Sequence, residues 1–150
     1  MAYDWTSSTI FSAPYTGIEG QSIYALDANN LFIVFSDWDT YKTYFSKSID
    51  GGNTWSTPVV IDNAQCAYDL RERSIWTSTD GQTIYIIYAG DDSWQIHFSK
   101  SIDGGISFSN TVVDGVGYDT PACWKPNMDV INNGQYIYAV YPKHMVHIMQ

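Results

Sequence analysis

The segment "SKSIDGGNTW" at residues 46–55 returns at residues 99–108 as "SKSIDGGISF", 53 positions later. A turn written twice at that distance defines a structural unit of about 50 residues, because each copy must occupy the same place in a repeated piece of chain. The agreement runs well outside the turn: Tyr15 falls on Tyr68, Glu19 on Glu72, and "NLFIVF" (30–35) on "TIYIIY" (83–88). The same step carries "DGQTIYIIY" (80–88) onto "NGQYIYAVY" (133–141), so a third unit is present.

Each unit reads as four short strands. The first covers about 21–27, 73–79 and 126–132. The second, "LFIVFS", "TIYIIYA" and "YIYAVY", is apolar on both faces, as a strand between two neighbouring sheets must be. The third is "KTYFSKS", "WQIHFSK" and "MVHIMQ"; the fourth is "TWSTPVVI" and "ISFSNTVV", where the third unit runs out. "DANN", "TDGQ" and "NNGQ" join first to second strands, and "DGG" joins third to fourth. In such turns Asp bonds the local backbone and Gly accepts positive φ. Repeated four-stranded antiparallel units of this length predict an all-β chain, a β-propeller with three blades per chain.

Ser48, Asp50, Gly52 and Trp55 fit the pattern S-x-D-x-G-x-x-W, and Ser101, Asp103, Gly105 and Phe108 fit it with Phe in place of Trp. On these motifs the chain resembles the Asp-box (bacterial neuraminidase repeat, BNR) β-propellers of the sialidase-like superfamily. The resemblance implies that the eight residues are structural, on the face away from the ligand site. It also implies that ligands sit on the loops from second to third strand and on the crossings between blades.

The third copy stops at "HIMQ", with Gln150 on the position of Lys100. The start of the chain offers what is missing: "YDWTSSTIFS" resembles a fourth strand, with Trp5 matching Trp55 and Phe108. The expected boundaries are therefore an outer strand 5–12, blade one 16–63, blade two 66–115 and blade three 118–150. A ring of three blades would turn about 120° at each, whereas propellers have about 4 to 8 blades. The expectation is a homodimer that closes a six-bladed ring, the number found in sialidase-like members, with strand 5–12 of each chain completing blade three of the other. Larger rings, and a fragment of a longer protein, are the alternatives.

Only 15% of residues are charged, the net charge is −9, and there are seven Lys and Arg in all. Nucleic acid and anionic membranes are therefore not expected partners, since both require a basic face. "MAYDWTSSTIFSAPYTG" has neither a basic start nor a continuous apolar stretch, so no signal peptide is read, and no run approaches a membrane span. Family members are commonly secreted, which leaves secretion or deposition on a virion open. Cys66 and Cys123 lack zinc spacing and read as two free thiols or as one bridge between neighbouring loops.

The loops that the resemblance assigns to a ligand are "SDWDTY" (36–41), "AGDDSW" (89–94) and "PKH" (142–144), with the crossings 15–20, 62–70 and 114–124. They gather Trp38, Tyr41, Trp94, Tyr118 and Trp124 among Asp37, Asp39, Asp91, Asp92 and Asp119. Flat rings beside hydrogen-bond acceptors suit a sugar, whose CH faces lie on rings and whose hydroxyls meet carboxylates. The competing reading is that such rings pack between blades and the acids are solvated. Asp91 with Asp92, or Asp37 with Asp39, also have the oxygen chemistry Ca²⁺ takes, but no complete ligand set accompanies them and no cofactor is expected.

The enzymes this chain resembles grip a carboxylate with three arginines and use a Tyr–Glu pair as nucleophile with an Asp as acid/base. Here Arg71 and Arg73 are the only arginines, and Glu19 and Glu72 the only glutamates. The positions equivalent to the arginines are Ile18 and Gly20 in blade one, Trp124 and Pro126 in blade three. In a two-chain ring, Arg71, Glu72 and Arg73 would gather at the pore mouth, where mutual ion pairing competes with a carboxylate-pair glycosidase. His97 and His147 align with Tyr44 in the third strand and read as packing; His144 reads as a loop residue. The expected function is a non-catalytic, lectin-like carbohydrate-binding module. The alternatives are an assembly module of a viral or extracellular particle, with protein as its ligand, and a sialidase-like glycoside hydrolase.

Overall fold

A computed structural model describes residues 7, 9–10, 17–62, 74–90, 95–114, 126–141 and 145–149. These residues form an all-β structure of three antiparallel sheets, each built from strands consecutive in the chain. Sheet one is β1 (Ile18–Ala25), β2 (Leu31–Asp37), β3 (Lys42–Ser48) and β4 (Val59–Asp62). Sheet two is β5 (Ile75–Thr77), β6 (Ile84–Ala89), β7 (Ile96–Ser101) and β8 (Ser109–Asp114). Sheet three is β9 (Asn127–Ile131), β10 (Tyr136–Tyr141) and β11 (Met145–Met149), with a single 3-10 turn, Asn132–Gly134, between β9 and β10.

The second strand of each unit explains the stacking. Every residue of β6 is buried, and because side chains alternate along a strand, its two faces serve two neighbours. Ile84, Ile86 and Tyr88 join Phe32, Val34, Phe45 and Ile61 of sheet one, together with Ile75 of β5. Tyr85, Ile87 and Ala89 join Met128, Val130, Ile137, Ala139 and Tyr141 of sheet three. First strands follow one another along the stack, β1 against β5 and β5 against β9, while β4 meets β8. The result is a propeller-like arrangement of blades. In β10 the pattern changes: Ile137, Ala139 and Tyr141 are buried, but Val140 on the opposite face is 54% exposed. Among the described residues sheet three has a neighbour on one face only.

Strand boundaries depart from the sequence reading where backbone chemistry intervenes. β1 starts at Ile18 rather than 21, and its register slips between Glu19 and Gln21 at Gly20, whose φ is +62°. β4 starts at Val59, after Pro58, because proline has no N–H to give a ladder. The register of β11 also differs from the alignment. Tyr141 pairs with Met145, Ala139 with His147 and Ile137 with Met149. In sheet two the corresponding rungs are Tyr88–His97, Ile86–Ser99 and Ile84–Ser101. His147 therefore stands on the rung of Ser99 and not of His97, since the β10–β11 link is three residues and the β6–β7 link six. Met149 consequently holds the rung of Ser101.

The two repeated Ser-Ile-Asp-Gly-Gly turns close β3 onto β4 and β7 onto β8. Ser48 Oγ accepts from Gly52 N at 2.8 Å and donates to Asp50 Oδ1 at 2.8 Å; Ser101 Oγ does the same with Gly105 N at 2.9 Å and Asp103 Oδ1 at 2.7 Å. Asp50 also accepts from the Thr54 hydroxyl and amide, and Asp103 from those of Ser107. The Thr54 hydroxyl, then its amide, then Ser48 hold the Asp50 carboxyl at about 2, and the equivalent bonds, Ser107 foremost, hold Asp103 well below its ordinary value. Gly51 and Gly52 have φ of +70° and +88°, Gly104 and Gly105 +69° and +85°, values only glycine reaches without strain.

Candidate functional site

The best-defined part of the expected ligand face is the β2–β3 turn of sheet one, at the opposite end of β3 from the Ser-Ile-Asp-Gly-Gly turn. Asp37 is fully buried, and its carboxylate organises the turn: it accepts from Asp39 N at 3.1 Å and from Thr40 Oγ1 at 3.0 Å. Thr40 Oγ1 also lies 3.0 Å from the Tyr44 hydroxyl, which ties the turn to β3. The crossing segment braces the other side, where Trp38 N donates to Gly17 O at 2.9 Å. A Cβ on Gly17 would stand 2.9 Å from Asp39 N and 3.1 Å from Asp37 Oδ1, so only glycine allows this approach.

On that frame the two rings form an edge-to-face pair, Trp38 and Tyr41 with centroids 5.9 Å apart at 72°. Trp38 is half-buried and Tyr41 is 59% exposed, with exposed Asp39 between them in sequence. Tyr41 has φ of +53°, a left-handed conformation uncommon outside Gly and Asn that the surrounding bonds hold in place. Asp37 is thus part of the buried frame of the turn, whose more exposed side carries Trp38, Asp39 and Tyr41. Thr40 and Gly17 were missed by the sequence reading, although an Asp with Thr three positions on is the spacing of a side-chain-closed turn.

Trp94, Asp91 and Asp92 of the second loop, Tyr118, Asp119 and Trp124 of the last crossing, and Arg71, Glu72 and Arg73 lie outside the described residues. So do Cys66, Cys123 and most of segment 5–12. Ser48, Asp50, Gly52 and Trp55, with Ser101, Asp103, Gly105 and Phe108, are placed together in two turns as described above.

Between sheets one and two lies a buried polar network that the sequence did not announce. Tyr88 donates to Asp62 Oδ2 at 2.7 Å, its ring stacks on His97 at 5.4 Å, and His97 Nδ1 is 3.8 Å from the same oxygen. Ser99 donates to Asn110 Oδ1 at 2.6 Å, and Asn110 Nδ2 donates across the interface to Ile61 O at 2.7 Å. Burial pushes the Tyr88 hydroxyl far up, so it stays protonated as the donor to Asp62. Although Asp, His and Ser are all present, Ser99 is fully buried and bonded to Asn110, so this cluster joins the sheets and exposes no nucleophile. His97 is thus a packing residue with a polar edge.

Among the described residues no three His, Cys, Asp or Glu side chains gather as a metal site, and no helix is long and apolar enough to cross a membrane. No protein-family model matches the chain, and neither curated proteins nor solved structures gave a match.

Proposed function

We propose that this chain is a non-catalytic, carbohydrate-binding propeller module. In this reading it is half of a six-bladed ring closed by a second copy, with the exchanged segment 5–12 completing the partner's third blade. The observation that carries the binding assignment is the braced Trp38–Tyr41 pair, with the Tyr41 ring 59% exposed and exposed Asp39 on the same turn. A sugar stacks its CH face on such a ring and gives hydroxyls to the adjacent acceptor. Because Asp37, Thr40 and Gly17 already fix the turn, binding would order little that is not ordered, which lowers its entropic cost. One shallow platform binds weakly; a ring that presents it more than once gains avidity.

The test is titration of the folded chain against neutral oligosaccharides. Trp38→Ala, and Tyr41→Asn, which keeps a residue type that tolerates the left-handed backbone, should each weaken binding about tenfold, about 1.4 kcal/mol, with the thermal midpoint little changed. Absence of binding to every glycan by folded protein contradicts the reading. A second reading, an assembly module that contacts protein, is favoured by Ile49, Ile102 and Ile106, which project from the Ser-Ile-Asp-Gly-Gly turns with 72%, 72% and 75% exposure. A sialidase-like hydrolase finds no such observation, and loss of any detected hydrolysis in Arg71→Ala or Glu72→Ala would be needed to revive it.

A further inference from the structure

We infer that the open face of sheet three and the first strand of sheet one are the two halves of one seam, occupied by a second copy of this chain. This rests on the reading of the chain as part of a closed ring and identifies the contact that closes it.

The two interfaces inside the chain supply the template. On the first strands, Ile23 pairs with Ile33, Ile75 with Ile86 and Met128 with Ala139, so Ile23, Ile75 and Met128 share one position of the repeat. Ile75 is 2% exposed and packs in the cluster that contains Phe32 and Val34 of the preceding sheet. Met128 is 3% exposed and packs in the cluster with Tyr85 and Ile87 of its preceding sheet. Ile23, the same residue on sheet one, is 60% exposed.

The other side of the contact shows the same break. Phe32 and Val34 of sheet one, and Tyr85 and Ile87 of sheet two, are all nearly or fully buried by the sheet that follows. Their equivalents on sheet three are Tyr138, half-buried, and Val140, 54% exposed. Ile131 on the same face is 44% exposed. An apolar first-strand residue without its neighbour and an apolar second-strand face without its neighbour are thus the two complementary sides of a contact the molecule makes twice within itself. The centre of sheet one's outward face, Ile33, Phe35 and Tyr44, is already covered within the single chain, so the seam lies along the first strands. A second copy docked along the first strands would set Ile23 against Val140 as Ile75 and Met128 are set against the preceding sheet inside the chain, and two such contacts close a head-to-tail pair.

Cross-linking tests this with the full chain. In a Cys66→Ser, Cys123→Ser background, Ile23→Cys with Val140→Cys and a short bis-maleimide should give mainly covalent two-chain species on a denaturing gel, whereas either cysteine alone should stay at 16.9 kDa. A second readout does not need cysteines: Val140→Lys or Ile23→Glu should each shift the native mass toward one chain, and the two together should restore two. Native dimers that neither cross-link nor respond to these charges overturn the seam while leaving the ring reading standing. A native mass of one chain, or a cross-link within one chain, overturns both.

Discussion

The two Ser-Ile-Asp-Gly-Gly turns have the same backbone and different neighbours. In both, a serine hydroxyl caps a glycine amide and an aspartate gathers the next hydroxyl residue, with matching φ values at both glycines. The second turn is pressed against sheet one: Lys47 Nζ donates to Gly104 O at 2.8 Å, and the Phe45 ring lies under Gly105 and 5.3 Å from that of Phe108. In the first turn Gly51, the counterpart of Gly104, is exposed. Lys100, the counterpart of Lys47, sits 5.8 Å over the Tyr85 ring of its own sheet. Local sequence therefore sets the turn, while docking depends on which sheet comes before it. A repeat can use one surface internally and leave its twin facing outward.

The sharpest way to break this distinction is at Gly105. A Cβ there would overlap Phe45 Cε1 at a φ of +85°, so Gly105→Ala should lose about 3 kcal/mol in denaturant unfolding, from strain and overpacking together. Combined with Phe45→Ala, the same substitution should cost less than it does alone; a loss below about 1 kcal/mol in the parent chain would show that the contact is not tight. Ser48→Ala and Ser101→Ala come next. Each leaves a buried glycine amide without its acceptor, a loss of about 1–3 kcal/mol, and because the bonds are internal to the turn the two losses should be equal. A much larger loss at Ser101 would mean that docking, not local sequence, holds the turn.

What the sequence made legible follows the same division. Ser48, Asp50 and Gly52 bond within four residues of one another, so their spacing in the chain is their geometry. Phe45, Lys47 and Gly105 meet across more than fifty residues, and no local pattern marks them as partners. The Asp62–Tyr88–Asn110 network was hidden for that reason too. Asp37 was read from its loop as one of the acids offered to a ligand, but it is fully buried and bonded to Asp39 N and Thr40 Oγ1. His147 was placed two rungs away because the shorter β10–β11 link changes the register without leaving a trace in the alignment.

Two smaller effects sharpen the comparison. Lys47→Met should cost about 1 kcal/mol through the lost bond to Gly104, and Lys100→Met no more than about 0.5 kcal/mol, since an exposed cation over a ring contributes little. The aspartates should behave alike with pH. Asp50 sits at about 2 in the folded chain against 3.8 unfolded, so its stabilisation is complete above about pH 4 and is lost as pH falls toward 2. Asp103 is shifted in the same direction. Acid titrations of unfolding should therefore be shallower in Asp50→Asn and Asp103→Asn by similar amounts; a change at one site alone would separate the turns electrostatically.

In the proposed ring the uncovered first strand of sheet one and the uncovered face of sheet three lie against a second copy. The mass of the purified chain under native conditions tests this most directly. Closure by a second copy requires twice 16.9 kDa, persisting on dilution to the level expected of an apolar seam; a single chain of 16.9 kDa with the sheets still folded would contradict it.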